Sequence, residues 1–189
     1  MLGGGVFVTQ NKVLPGSYIN FVNTASTRSA VGERGVVAIA LSLGKASGTV
    51  IELTRSDFVS KCEELTGEKY SSGKVAPLRE IFRNAVKVYV YDLGEDGTVE
   101  DAINALDAYD FNVLCAYTDV AEDASAYIGA VKSWRDEMGK KCQVVVYNQT
   151  APDHEGVINV VSTVSDDGVD AYALTAWVAG AEAGCAINA

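Results

Sequence analysis

Apolar residues fall in short runs along the chain, and the runs alternate between the period of a strand and the period of a helix. Residues 86–93, VKVYVYDL, place Val86, Val88, Tyr89, Val90 and Tyr91 in one segment. Dense β-branched and aromatic side chains are the composition of a strand buried on both faces. Such a strand needs helical cover, and the following residues supply it. Thr98 and Asp101 have the spacing of a capping box ahead of a helix whose Val99, Ala102, Ile103 and Leu106 share one face. Residues 111–117, FNVLCAY, predict the next strand. Asp119 is the expected cap of a second helix, with Ala124, Tyr127, Ile128, Val131, Trp134 and Met138 on one stripe and Gly139 as its stop. Residues 143–147, QVVVY, and 156–161, GVINVV, predict two further strands. Asp170 is expected to open a closing helix, DAYALTAWVAGAEAG, whose alanines and glycines require close packing. This alternation predicts an α/β layer with a largely parallel sheet.

The pattern upstream is different. Residues 6–22 form two strand-like pieces broken by Pro15 and Gly16, after a lead of Gly3, Gly4 and Gly5. A glycine-led, apolar, extended terminus either folds back as an edge strand or adds to a neighbour's sheet. Residues 23–34 are small and polar, which reads as a linker. Residues 35–43 and 49–53 predict strands. A helix over 57–65 follows, with Ser56 or Asp57 as N-cap, Phe58, Cys62 and Leu65 on one face, and Gly67 as stop. Another begins near Pro77 and carries Leu78, Ile81, Phe82 and Ala85. The predicted organisation is therefore an extended arm over 1–23, a small β-rich α+β module over 24–85 and an α/β domain over 86–189. Four strands and a helix apolar nearly all round leave that last domain short of cover. The chain is expected to be the N-terminal portion of a longer protein, or a fragment trimmed to its ordered part.

Composition narrows the function classes. At 189 residues, with 48% hydrophobic and 21% charged, the chain is globular. No apolar run approaches the roughly 18 residues of a membrane span, so no membrane partner is expected. The start lacks a basic region ahead of an apolar block, so no secretory signal is expected. A net charge of −10 argues against nucleic-acid binding, which needs clustered Lys and Arg. Cys62, Cys115, Cys142 and Cys185 never take CxxC spacing, and each is expected to be a small buried hydrophobe.

The search for catalytic chemistry finds little. The turn after the 86–93 strand lacks GxGxxG and GKS/T, and its Glu95 and Asp96 would repel a phosphate. A cation held by Asp92, Glu95 and Asp96 is conceivable, but an acidic surface turn is the commoner case. The single histidine, His154, is expected in a solvated loop, and no serine sits in a GxSxG elbow. Tyr89, Tyr91, Tyr117 and Tyr147 sit near strand ends, where they either line a pocket or cap the sheet layer. No catalytic, metal or cofactor residues are assigned.

The stretches LGGGVFVTQNKVLPGSYINFV, RGVVAIALSL, TRSDF and LREIFRNAVKVYVYDL resemble the start of a contractile tail sheath protein, of the kind found in myophages, defective prophages and phage-tail-like bacteriocins. The resemblance runs from Leu2 to Leu93 by motif and continues as pattern only. It implies a non-enzymatic subunit of a helical sheath, stacked in hexameric rings around a tail tube, that contracts to drive the tube through a cell envelope. It also implies a subtilisin-like three-layer core without protease activity. The implied partners are neighbouring sheath subunits, baseplate and tail terminator proteins, and the tube, which a C-terminal domain missing from this chain would contact. The implied place is a virion tail or phage-tail-like particle assembled in the bacterial cytoplasm. Within the arm, Val6, Val8, Tyr18, Ile19 and Phe21 are the residues expected to pair with a neighbouring subunit. The rival reading is a Rossmann-like enzyme or nucleotide-binding module.

Overall fold

A computed structural model of the protein describes residues 34–43, 45–150 and 152–185. Six strands form one sheet: β1 (Val36–Leu41), β2 (Val50–Thr54), β3 (Lys87–Asp92), β4 (Val113–Cys115), β5 (Gln143–Tyr147) and β6 (Val157–Val160), in the order β2-β3-β1-β4-β5-β6. Five of them run parallel, and β2 lies antiparallel on the β3 edge. The helices are α1 (Arg55–Thr66), α2 (Ala76–Ile81), α3 (Val99–Leu106), α4 (Ala121–Asp136) and α5 (Leu174–Gly184).

β1 explains the layering. All six of its residues are buried, and alternate side chains serve opposite faces. Val37, Ile39 and Leu41 enter one core with Phe58 of α1, Leu78 and Ile81 of α2, and Ala176, Ala179 and Ala183 of α5. Val36, Ala38 and Ala40 enter the other with Ala102 and Leu106 of α3 and Tyr127, Val131 and Trp134 of α4. The sheet therefore has helices on both faces, as a parallel sheet requires.

The separate module expected over 24–85 is not seen in the described residues. β1 lies between β3 and β4, and β2 pairs with β3, so this segment supplies the centre and one edge of the common sheet. The expected arm, with Val6, Val8, Tyr18, Ile19 and Phe21, lies outside the described residues.

Local signals read from the sequence hold unevenly. The Thr98 and Asp101 capping box forms in both directions, and Gly67 ends α1 in the left-handed region at φ 76°. The α1 cap is Thr54, whose side chain accepts from the Asp57 N–H. Asp119 does not cap α4, which starts after Val120 without a side-chain cap. α5 begins at Leu174, since residues 170–173 form a turn. Met138 lies past the end of α4 and is exposed.

Three cysteines are buried as expected, but Cys185 is exposed just past α5. Burial pushes the Cys115 thiol up to about 12, which leaves almost no thiolate near neutral pH. A thiol reagent should therefore modify Cys185 at once in the native protein and the other three only on unfolding. Rapid labelling of more than one thiol would show that the buried positions are misplaced.

Candidate functional site

The carboxyl ends of β1, β3 and β4 enclose a concave feature with convergent polar groups. The chain leaves β1 towards β3 and leaves β4 towards α4 on the opposite face. Loops that diverge between adjacent parallel strands leave a crevice at the strand ends, the usual ligand position in open α/β sheets. Its lining includes Ala40 and Leu41 at the end of β1, Ser42 just after it, Leu93 after β3, Tyr117 after β4, and Asp170 and Tyr172 ahead of α5. Lys74, in the 3-10 turn Gly73–Val75, and Pro77 of α2 complete it.

Asp92 holds the β1 wall. It ends β3 fully buried. Its Oδ1 accepts from the N–H of Leu43 at 2.9 Å and of Gly94 at 3.0 Å, and its Oδ2 from the N–H of Lys45 at 3.0 Å and of Ala46 at 2.8 Å. The carboxylate considered above as a cation ligand is thus committed to backbone donors. Among the described residues no group of three or more acidic, His or Cys side chains is arranged to hold a metal.

The opposite wall is aromatic. Tyr117 donates to Asp170 Oδ2 at 2.8 Å, and the Tyr117 and Tyr172 rings meet edge to face at 4.7 Å. Tyr147 stands beside Tyr172 and shares a hydrogen bond with Thr163 at 2.7 Å. Of the four tyrosines named from the sequence, only Tyr117 lines the crevice; Tyr91 is in the core, and Tyr89 packs on Tyr109. Lys74 is engaged by Glu68 at 3.0 Å, and the Lys74 and Ser72 hydrogen bonds hold the Glu68 carboxyl below its ordinary range.

Burial first, then the hydrogen bond to Asp170, raises the Tyr117 phenol above the ordinary tyrosine range. Burial, Asp170 and Asp119 move Tyr172 the same way. A raised folded-state value favours folding fully below the unfolded tyrosine value of about 10, and that contribution is lost as pH climbs above it. The native protein should therefore lose stability above about pH 10, and Tyr117→Phe should lose less over the same interval. Denaturant unfolding at stepped pH checks this; identical slopes for both proteins would refute it.

The volume of about 240 Å³ is below the roughly 300–1,000 Å³ of cofactor pockets. His154 sits at the other end of the sheet, ahead of β6, where its Nδ1 accepts from the Gly156 N–H at 3.0 Å and its Nε2 lies 3.5 Å from Asp136. Its side chain is only 15% exposed, so it closes a turn and is not the solvated loop residue expected. The sequence reading missed Asp170 and Tyr172 as crevice residues. The only available signal for Asp92 was that an acid directly continues the alternation of a buried strand.

A family model described as the phage tail sheath protein central domain matches residues 94–189. The tail sheath protein of Clostridium phage phiCD119 is 29% identical over 152 residues, which cover 79% of this chain and 42% of that protein. The chain thus spans less than half the length of that relative. The sheath tail protein of Desulfitobacterium hafniense superposes with a TM-score of 0.73 at 22% identity, over 92% of this chain and 63% of that one. The anti-feeding prophage helical sheath in its contracted state superposes with a TM-score of 0.57 at 17% identity, over 89% of this chain and 51% of that one. At these identities the two structures establish likeness of fold.

Proposed function

Since the chain belongs to the phage tail sheath protein family, we propose that it is a non-catalytic, structural subunit of a contractile tail sheath. In this reading it polymerises with copies of itself as stacked hexameric rings around a tail tube, in a virion tail or phage-tail-like particle assembled in the host cytoplasm. Contraction then drives the tube through a cell envelope, with tube, baseplate and tail terminator proteins as partners. The family match over residues 94–189 carries the proposal, and the fold shared with a contracted sheath supports it. A subtilisin-like core is part of the same reading, supported by a largely parallel sheet with helices on both faces.

The arm over 1–23 is the proposed link between subunits. Contraction moves subunits past one another, so part of each contact must survive while the rest is remade. A continuous arm hydrogen-bonded into a neighbour's sheet meets that need. Val6, Val8, Tyr18, Ile19 and Phe21 supply its apolar anchors. A net backbone hydrogen bond is worth only about 0.5–1.5 kcal/mol, so several must form together with apolar burial.

Electron microscopy of the full-length protein tests both levels. Tubular polymers are expected from the intact protein, whereas deletion of residues 1–22 should leave a folded, soluble monomer. Ile19→Asp with Phe21→Asp should act likewise, by putting charges into apolar pockets. Normal tubes from the deletion variant would remove the arm from the mechanism. An intact protein that stays monomeric even with its tube protein would remove the sheath reading itself.

A further inference from the structure

We propose that His154 is an acid-sensitive latch: its neutral ring fastens the turn that starts β6, and taking up a proton releases that turn. The inference rests on the geometry of the turn and is independent of the sheath reading.

The latch is a short series of hydrogen bonds. The Val157 N–H donates to the His154 carbonyl at 3.0 Å and closes the turn. Within it, the Gly156 N–H donates to His154 Nδ1 at 3.0 Å. The Gly156 carbonyl accepts from the Val144 N–H at 2.8 Å, at the start of a β5–β6 pairing that sets Val144 opposite Val157. β6 is the last strand on its side of the sheet. One imidazole nitrogen thus holds the residue from which an edge strand hangs.

That nitrogen works only when it is bare. An amide N–H can only donate, so Nδ1 must be the acceptor and the neutral ring carries its proton on Nε2. Nε2 lies 3.5 Å from Asp136 Oδ2. Protonation adds a hydrogen to Nδ1, and two donors then face each other across 3.0 Å. Gly156 is buried, so its N–H is shielded from water while the turn stays closed, and a buried donor without a partner is costly. Opening the turn relieves both groups.

The surrounding charges do not supply the missing acceptor. On α4, Asp136 attracts a protonated ring, but it stands at Nε2 and its side chain is 65% exposed, so water screens it. Arg135, also on α4, opposes the proton. Its guanidinium donates to the Cys142 carbonyl at 2.9 Å and pairs with Glu155, and its Nε is buried without a hydrogen-bond partner among the described residues. A carbon placed at Gly156 would lie 2.9 Å from that Nε and 3.1 Å from His154 Nδ1, so a proton on Nδ1 would meet a fixed cation. On the loop itself, Glu155 is engaged by Arg135 and Asp153 is exposed. Ahead of β5, Lys140 donates to the Asp107 carbonyl at 3.0 Å and Lys141 is exposed. The closed turn accommodates the neutral ring, whereas the open turn accommodates either form. The latch therefore holds at higher pH and is lost as pH falls.

Amide hydrogen exchange followed by NMR on the 189-residue chain tests this, with rates corrected for the intrinsic pH dependence of exchange. Histidine side chains change charge between about pH 5 and 8. Across that interval, protection of the Gly156 and Val144 amides should fall about two- to tenfold on acidification, the equivalent of one net hydrogen bond. The fall should track the His154 ring signals and leave the β1 and β3 amides unchanged. His154→Asn provides an acceptor with no proton to gain, since asparagine bonds the backbone N–H two residues on, and should keep both amides protected throughout. His154→Ala, which has no acceptor, should leave Gly156 poorly protected at every pH. Asp136→Asn, which removes the attraction at Nε2, should move the fall to lower pH. Unchanged Gly156 protection while the ring takes up its proton, a ring still neutral at about pH 5, or an equal fall in His154→Asn would overturn the latch. The comparison within the parent protein decides the proposal even where a variant does not fold.

Discussion

Asp92→Ala should lower the unfolding free energy by about 3–5 kcal/mol, a large part of the roughly 5–15 kcal/mol that a domain possesses. Among the described residues the carboxylate serves four backbone donors, and the Leu43 bond is buried. An unmet buried donor costs about 1–3 kcal/mol, and a bond to a charged acceptor is worth about 1.5–3 kcal/mol. The other three donors are only partly buried and regain some of the loss from water. Asp92→Asn should be nearly as damaging, because its amide nitrogen would face either the Lys45 and Ala46 donors or the Leu43 and Gly94 donors. The loop carrying Ser42 would loosen with it. Urea unfolding measures the main effect, and an Asn variant as stable as the parent would show that the carboxylate is not what organises this loop.

Gly180→Val should cost about 2–3 kcal/mol or more, from overpacking that the neighbouring backbone cannot relieve. A side-chain carbon at Gly180 would lie 2.5 Å from the Ile81 carbonyl oxygen and 2.9 Å from its Cα. One turn later, a carbon at Gly184 would lie 2.6 Å from the Asn84 carbonyl oxygen. α5 therefore rests on the end of α2 and the residues just after it through two bare glycine surfaces. Alanine at Gly180 would gain up to about 1 kcal/mol in helix propensity, but a contact of 2.5 Å with main chain outweighs it, so Gly180→Ala should also destabilise. Gly129 in α4 supplies the control, since a carbon there meets nothing within 4 Å. Gly129→Ala should stabilise by about 0.5–1 kcal/mol. Thermal unfolding of the three variants separates the two effects, and a Gly180→Ala protein that melts above the parent would mean that α5 can shift away from α2 at little cost.

Residue order alone was enough for features that depend on neighbours in the chain. The β3 run of Val88, Val90 and Tyr91, the capping box at Thr98 and Asp101, the α4 stripe from Ala124 to Trp134 and the stop at Gly67 all appear in the structure. Each rests on a period or a cap written within one or two turns of chain. The resemblance to tail sheath proteins was legible for the same reason, as short motifs in sequence.

Tertiary structure decided what depends on partners distant in the chain. The pattern of residues 36–41 marks a strand buried on both faces but does not say which strands flank it. Two helices stand between β2 and β3, and this made 24–85 look like a separate module. The pairing of β1 with β3 and β4 shows instead that it is the middle of the sheet. Asp92 looked like part of an acidic turn with Glu95 and Asp96, because nothing local reveals that four N–H groups converge on it. Tyr117 and Asp170 are 53 residues apart, and their contact exists only because the segment between β6 and α5 crosses the end of β4. Periodicity carries the burial of each element, whereas pairing and crevice chemistry arise when the whole core closes, since only then are the loops at the strand ends brought together.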